Sequence, residues 1–154
     1  MRLRQYVFAA AVAASVAGWA SAPVAGGGQA SVEKYSIRLG RVPVANAREG
    51  EAVMGKGAGT ATLTGNKLTI TGSFEGLLSS ATVARLHRGV AKAARGPVLA
   101  DLTITKGTTG AISGTVELKP EDLADLKLGK LYVQVHSEKG LAPDGTNLWG
   151  WLLR

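Results

Sequence analysis

From Tyr35 onward the chain is a series of short segments in which polar and apolar residues alternate, cut apart by glycine. Alternation with a period of two sends successive side chains to opposite faces of an extended strand. Many such segments with turn residues between them are the signature of an all-β sandwich or barrel.

Tyr35–Leu39 is the first expected strand, and residues 40–57, made of Gly, Pro, Ala and charge, read as a long loop. Thr60–Thr64 and Lys67–Phe74 flank Gly65-Asn66. A two-residue link of this kind suits a tight hairpin, because glycine tolerates positive φ at the first turn position. Leu68, Ile70, Gly72 and Phe74 then share a face. In Thr82–His87, Val83, Arg85 and His87 lie on one face, with Ala84 and Leu86 on the other. A basic Gly/Ala loop over 88–96 follows. Pro97–Thr105 and Ala111–Leu118 form a second hairpin about Lys106–Gly110. Pro120–Leu126 is the one helical piece, since proline at the first position and acids in the first turn suit a helix N-terminus. Leu131–His136 sets Leu131, Val133 and Val135 against Tyr132, Gln134 and His136. The last strand, about Asn147–Leu153, sets Leu148, Gly150 and Leu152 against Trp149, Trp151 and Leu153. The total is about eight strands and one short helix.

The start of the chain has a different character. Arg2 and Arg4 precede an uncharged run from Tyr6 to Gly18, and small residues follow at Ala20-Ser21-Ala22. A basic end, a short apolar core and a small-residue cleavage site make a secretory signal peptide over residues 1–22. The apolar run falls short of the roughly 20 residues that span a bilayer. Cleavage after Ala22 meets Pro23, which hinders a peptidase, so cleavage after Ala20 is the alternative. Residues 23–33, with three consecutive glycines, form a flexible lead-in, and residues 34–154 form the domain. The chain is therefore expected in the periplasm or outside the cell, with membrane contact only through its N-terminal segment. With no cysteine in its 154 residues, it has neither disulfides nor thiolate metal sites.

Removing residues 1–22 takes two of the 18 basic residues and none of the 11 acidic ones, so the net charge falls from +7 to +5. The densest basic group is Arg85, Arg88, Lys92 and Arg95. It carries no interleaved aromatic residue, unlike a nucleic-acid surface, and no nucleic-acid partner is expected. A solvated positive face is the simpler reading, with lipopolysaccharide or phospholipid headgroups as anionic partners it could serve.

The chemistry-bearing residues are few. His87 and His136 are the only histidines. Imidazole and carboxylate suit zinc or copper, but a third ligand would have to be Asp101, Asp144 or Glu138. Hydrogen bonding of each histidine across a sheet or loop is favoured over metal binding. Ser79, Ser80, Ser113 and Ser137 lie in no nucleophile motif, and Ser137, next to His136, points to the opposite face. No catalytic residue and no cofactor is expected. Tyr132, Trp149 and Trp151 alternate away from an aliphatic face. They form either a binding patch beside His136 or a core layer.

Gly129-Lys-Leu-Tyr-Val-Gln-Val-His136 resembles the Gly-x-x-Tyr-Val-Asn-Val-His strand of the CHRD domain, a module named after chordin and also found alone in exported bacterial proteins. Arg41-Val-Pro-Val44 resembles its Val-Pro-Pro-Val element, and Ala84-Arg-Leu-His-Arg-Gly89 resembles its Ala-His-Ile-His-Gly. Pro143–Leu152 resembles its closing Pro-x-Gly-Glu-Ile-Arg-Gly. The likeness spans roughly residues 34–154. Arg85 replaces the first His of the His-x-His pair. Thr146 and Asn147 stand near the place of the closing Glu, and Trp149 replaces its Arg. The resemblance implies an antiparallel, Greek-key-like β-sandwich and an exported location.

The expectation is an exported, non-catalytic binding or structural module whose ligand is a protein or an envelope component. Its candidate binding residues are Tyr132, His136, Trp149, Trp151, Arg85 and His87. The alternative is a metal-binding domain, or a vestigial superoxide dismutase-like one, using His87 and His136.

Overall fold

The computed structural model describes residues 31–91 and 94–154. The expected signal peptide, most of the expected lead-in and Lys92 lie outside the described residues. Among the described residues there are eight strands: β1 (Val32–Arg41), β2 (Lys56–Thr64), β3 (Lys67–Glu75), β4 (Ala81–Arg88), β5 (Val98–Ile104), β6 (Gly110–Glu117), β7 (Leu131–Leu141) and β8 (Thr146–Leu153). They run antiparallel and close into one barrel in the order β1-β2-β3-β6-β5-β4-β7-β8. Within it, β7-β4-β5-β6 is a Greek key, three consecutive strands with the fourth returned beside the first.

The closed barrel replaces the expected sandwich, and two seams account for the change. β1 pairs with both β2 and β8. β5 pairs with β4 through Ala84↔Leu102 and its neighbours, then crosses to β6 through Thr103↔Ser113 and Ile104↔Ile112. A sandwich leaves those edges open, whereas closure removes them. The alternating pattern along each strand is the same in both architectures.

Local chemistry explains the elements. Gly65 at φ 63° begins the two-residue link that sets Thr64 opposite Lys67. Pro120 starts the expected helix, α2 (Pro120–Lys127), with Glu121 and Asp122 in its first turn, and Leu126 is fully buried against the core. A second helix, α1 (Ala47–Ala52), occupies the stretch expected as a long loop. Asn46 caps it by accepting from the Glu49 N–H at 3.0 Å, and the Glu49 carboxylate accepts from the Ala45 N–H at 2.8 Å. This reciprocal arrangement is close to a capping box, for which Asn46-Ala-Arg-Glu49 was the available signal.

The barrel is filled by Tyr35, Ile37 and Leu39 of β1, Leu68, Ile70 and Phe74 of β3, Ala84 and Leu86 of β4, Val133 and Val135 of β7, and Leu148 and Leu152 of β8. Gly150 lets β8 lie tight on β1, since a Cβ there would come within 2.8 Å of the Arg38 carbonyl oxygen.

Candidate functional site

The outer face of β4, β7 and β8 is covered as well. Strand register stacks the relevant side chains in rows. His87 lies opposite Tyr132, and Tyr132 opposite Trp151. Arg85 lies between Asp101 and Gln134, and Gln134 opposite Trp149. Val83 faces His136, which faces Thr146. The six candidate residues therefore do meet on one wall, and they do not play equal parts.

Four of them form one aromatic cluster. The His87 and Tyr132 rings stack with centroids 4.9 Å apart. Tyr132 packs on Trp151 at 4.5 Å and edge-on to Trp149 at 6.2 Å, and the two indoles meet at 5.8 Å. Such pairs contribute about 0.5–1.5 kcal/mol each beyond their buried area. Tyr132 is buried, while Trp149 and Trp151 keep part of their surface exposed. The aromatic set is thus neither a free patch nor the barrel core. It is a second layer, with Tyr132 at its base and the indoles at its rim.

Residues 89–91 and 94–97 lie over this layer. A Cβ at Gly96 would collide with the Arg88 carbonyl, so glycine is required for the loop to lie this close to β4. That approach lets the Gly96 N–H reach the Tyr132 hydroxyl at 3.3 Å and the Gly96 carbonyl reach His87 Nδ1 at 3.1 Å. The Arg95 guanidinium carbon stands 5.9 Å over the Trp149 ring, within cation–π range. Burial is the main cause that holds the His87 pKa below its ordinary value, with His136 and Arg85 adding to it.

His136 is set in a different cradle. Its Nδ1 lies 3.0 Å from the Asp144 carbonyl oxygen, in the 142–145 turn that joins β7 to β8. Thr146 fastens that turn, donating to the Asp144 carboxylate from its hydroxyl at 2.7 Å and its N–H at 3.2 Å. Gln134 donates to the same hydroxyl at 2.6 Å. Burial works to raise the Asp144 pKa, but the two Thr146 hydrogen bonds and His136 outweigh it and leave the carboxyl below its ordinary range.

The CHRD domain family model matches residues 40–145. The chain belongs to the CHRD domain family. No curated protein and no solved structure matches it. Membership points to a non-enzymatic binding or structural module, and CHRD domains occur in extracellular and secreted proteins. No described helix is long and apolar enough to cross a membrane. The matched span ends before β8, so Trp149 and Trp151 lie beyond it.

Arg85 donates through Nε to Asp101 at 2.9 Å on the exposed rim. Arg88 contacts Asp122 at 3.0 Å and Asp125 at 3.8 Å. The dense basic group is thus partly neutralised by acids from β5 and α2, which were not adjacent in sequence. The expected third metal ligands are not assembled: Asp101 is engaged by Arg85, Asp144 by Thr146, and Glu138 is exposed. Among the described residues no three His, Asp or Glu side chains form a metal-holding group. Sequence reasoning missed Gln134 and Thr146, polar residues at positions that no alternation rule marks as buried. Two depressions of about 510 and 380 Å³ lie away from these residues, beside Lys56, Glu75 and Thr109. Their ion pair, Lys56 with Glu75 at 3.3 Å, is well exposed.

Proposed function

We propose that this CHRD domain is an exported, non-catalytic module that binds an anionic component of the cell envelope at the Trp149–Trp151 rim. One observation carries the reading: two partly exposed indoles rest on the buried Tyr132 ring, with the Arg95 guanidinium over one of them. Aromatic faces held rigid give up little conformational entropy on binding. A guanidinium alongside adds recognition of phosphate or carboxylate. Export is supported by the basic start, apolar run and small-residue site of residues 1–22.

The test is cosedimentation of the purified protein with cell-envelope fragments. Wild type should pellet with the fragments. Trp149→Ala and Arg95→Ala should remain in solution while keeping the wild-type circular dichroism spectrum. If folded variants of both kinds pellet like wild type, or wild type itself stays in solution, the reading fails.

A further inference from the structure

Exposed apolar side chains gather at one end of the barrel. Neighbouring strands are antiparallel all the way round. The start of β1, the end of β8 and the link from α2 to β7 therefore share an end. Three apolar side chains stand there, Val32 at 59%, Leu128 at 62% and Leu153 at 38% exposure. Leu128 and Leu153 line one depression of about 260 Å³ with Lys127 and Arg154. Leu153 and Arg154 line a second of about 260 Å³ with Lys34. Gly129, at φ 69°, brings the end of α2 against β8, since a Cβ there would lie 3.2 Å from Leu153 Cδ2. Val32 and Lys34, two residues apart, are both exposed on the outer face of β1. Single exposed apolar residues are ordinary, whereas grouped ones mark contact surfaces.

The charges between these tips are mostly positive. Lys34 and Lys127 form no ion pair among the described residues, and Arg154 pairs with Glu33. Asp122 and Asp125 are answered by Arg88 and Lys130. Glu117 and Glu121 lie towards the start of α2, away from Leu128.

We propose that this end of the barrel docks on an anionic phospholipid bilayer. Val32, Leu128 and Leu153 enter the headgroup layer, and Lys34 and Lys127 meet lipid phosphates. Such binding grows with the apolar area buried and with attraction to anionic lipid. A second copy of the chain fits poorly, because a twofold contact sets these cations against their own images. A rigid protein partner needs about 800 Å² of matched surface, whereas a fluid headgroup layer accepts separate apolar tips. The chain also enters the barrel here, at Val32, and the residues before it include the uncharged run from Tyr6 to Gly18. The surface adjoins the Trp149–Trp151 rim through Leu153 but rests on different residues, and it adds a bilayer contact to the one expected of the N-terminal segment.

The experiment uses the absence of cysteine. A polarity-sensitive dye is attached to Leu128→Cys, and in a second sample to Ser73→Cys, exposed near the opposite end of β3. Each purified protein is titrated with vesicles of phosphatidylcholine containing phosphatidylglycerol. Emission from position 128 should shift to the blue and that from position 73 should not, so contact through the N-terminal segment alone cannot give the result. Adding Lys34→Gln or Lys127→Gln to the labelled protein should each weaken the vesicle affinity about fivefold, the scale for one cation near an anionic surface. Leu153→Ser should reduce the shift while the circular dichroism spectrum stays that of the parent. No shift at position 128, or equal shifts at 128 and 73, overturns the proposal. So does a vesicle affinity that survives both lysine substitutions. Loss of the shift in Trp149→Ala with full retention in the lysine variants would move the bilayer contact to the tryptophan rim and equally overturn it.

Discussion

The two halves of the barrel wall have the same inner face and opposite outer faces. On β3, residues 67–75 alternate strictly between exposed and covered, and the outward positions are Lys67, Thr69, Thr71, Ser73 and Glu75. Their threonines meet exposed neighbours, Thr71 with Thr60 and Thr69 with Thr115, at 3.4 Å between hydroxyls. On β7, all seven residues from Leu131 to Ser137 are buried. Both strands alternate in sequence, yet only β7 hides its polar side. Burying Gln134 and two histidines costs free energy that a threonine face does not incur. A barrel that needed only a core could have been finished as β3 is. The covered half is therefore where function is to be sought.

The largest effect expected from this asymmetry is at Tyr132. Leu148→Ala, in the inner core, should lower unfolding free energy by about 2–5 kcal/mol. If the outer layer is a second packed layer, Tyr132→Ala should cost about 3–5 kcal/mol. Urea unfolding of the two variants makes the comparison. A loss at Tyr132 below about 1 kcal/mol, the scale of an ordinary surface change, would reduce the outer layer to decoration.

Much of the inner barrel was legible in the sequence. Gly65-Asn66 marked its hairpin, Pro120 its helix start, and the faces of Leu68, Ile70, Leu131, Val133, Leu148 and Leu152 followed from a period of two. Closure was not legible, because β5 reaches both β4 and β6 through edge pairing that leaves no trace in its own alternation. The outer layer was half legible. Tyr132, His87, Trp149 and Trp151 could be placed on one side of their strands. What covers them is a Gly/Ala loop without periodicity, held down where a Cβ at Gly96 would strike Arg88. The ring orientations of His87 and His136 depend on carbonyls of Gly96 and Asp144, distant in sequence from the question of which strand faces which. Family likeness marked positions 85, 87 and 136 together, and the arginine at 85 obscured what the other two have in common.

A smaller effect sharpens the same contrast through pH. The His87 pKa is held below its ordinary value of 6.5, chiefly by burial. A group depressed by folding takes up its proton more readily in the unfolded chain, so its contribution to stability is complete above about 6.5 and is lost as pH falls through the folded value. Asp144 is likewise depressed, from 3.8, by the Thr146 hydrogen bonds that outweigh its burial, and its contribution is lost only at more acid pH. Melting temperature measured by calorimetry should be level above pH 7 and decline in two stages below it. His87→Gln should remove the first stage and leave the second. A first stage that persists in His87→Gln would assign the acid sensitivity to another group.

The smallest effect is expected on the open half. Thr71→Val removes a hydroxyl from the outer face of β3 whose contact with Thr60 is long and exposed. Valine suits a strand at least as well as threonine, and water replaces what the hydroxyl gave. Unfolding free energy should therefore stay within about 0.5 kcal/mol of wild type. The matching change on the covered half, Gln134→Leu, removes a buried donor 2.6 Å from Thr146. It should cost about 1–3 kcal/mol, the scale of disturbing a buried hydrogen bond. Equal costs at the two positions would mean that the walls differ in solvent exposure but not in what their polar groups do. That result would remove the physical ground for placing a site on β4, β7 and β8. A clear excess at Gln134 would mean that the polar groups on this wall are held in a network, and such a network fixes Thr146, Asp144 and through them the ring of His136.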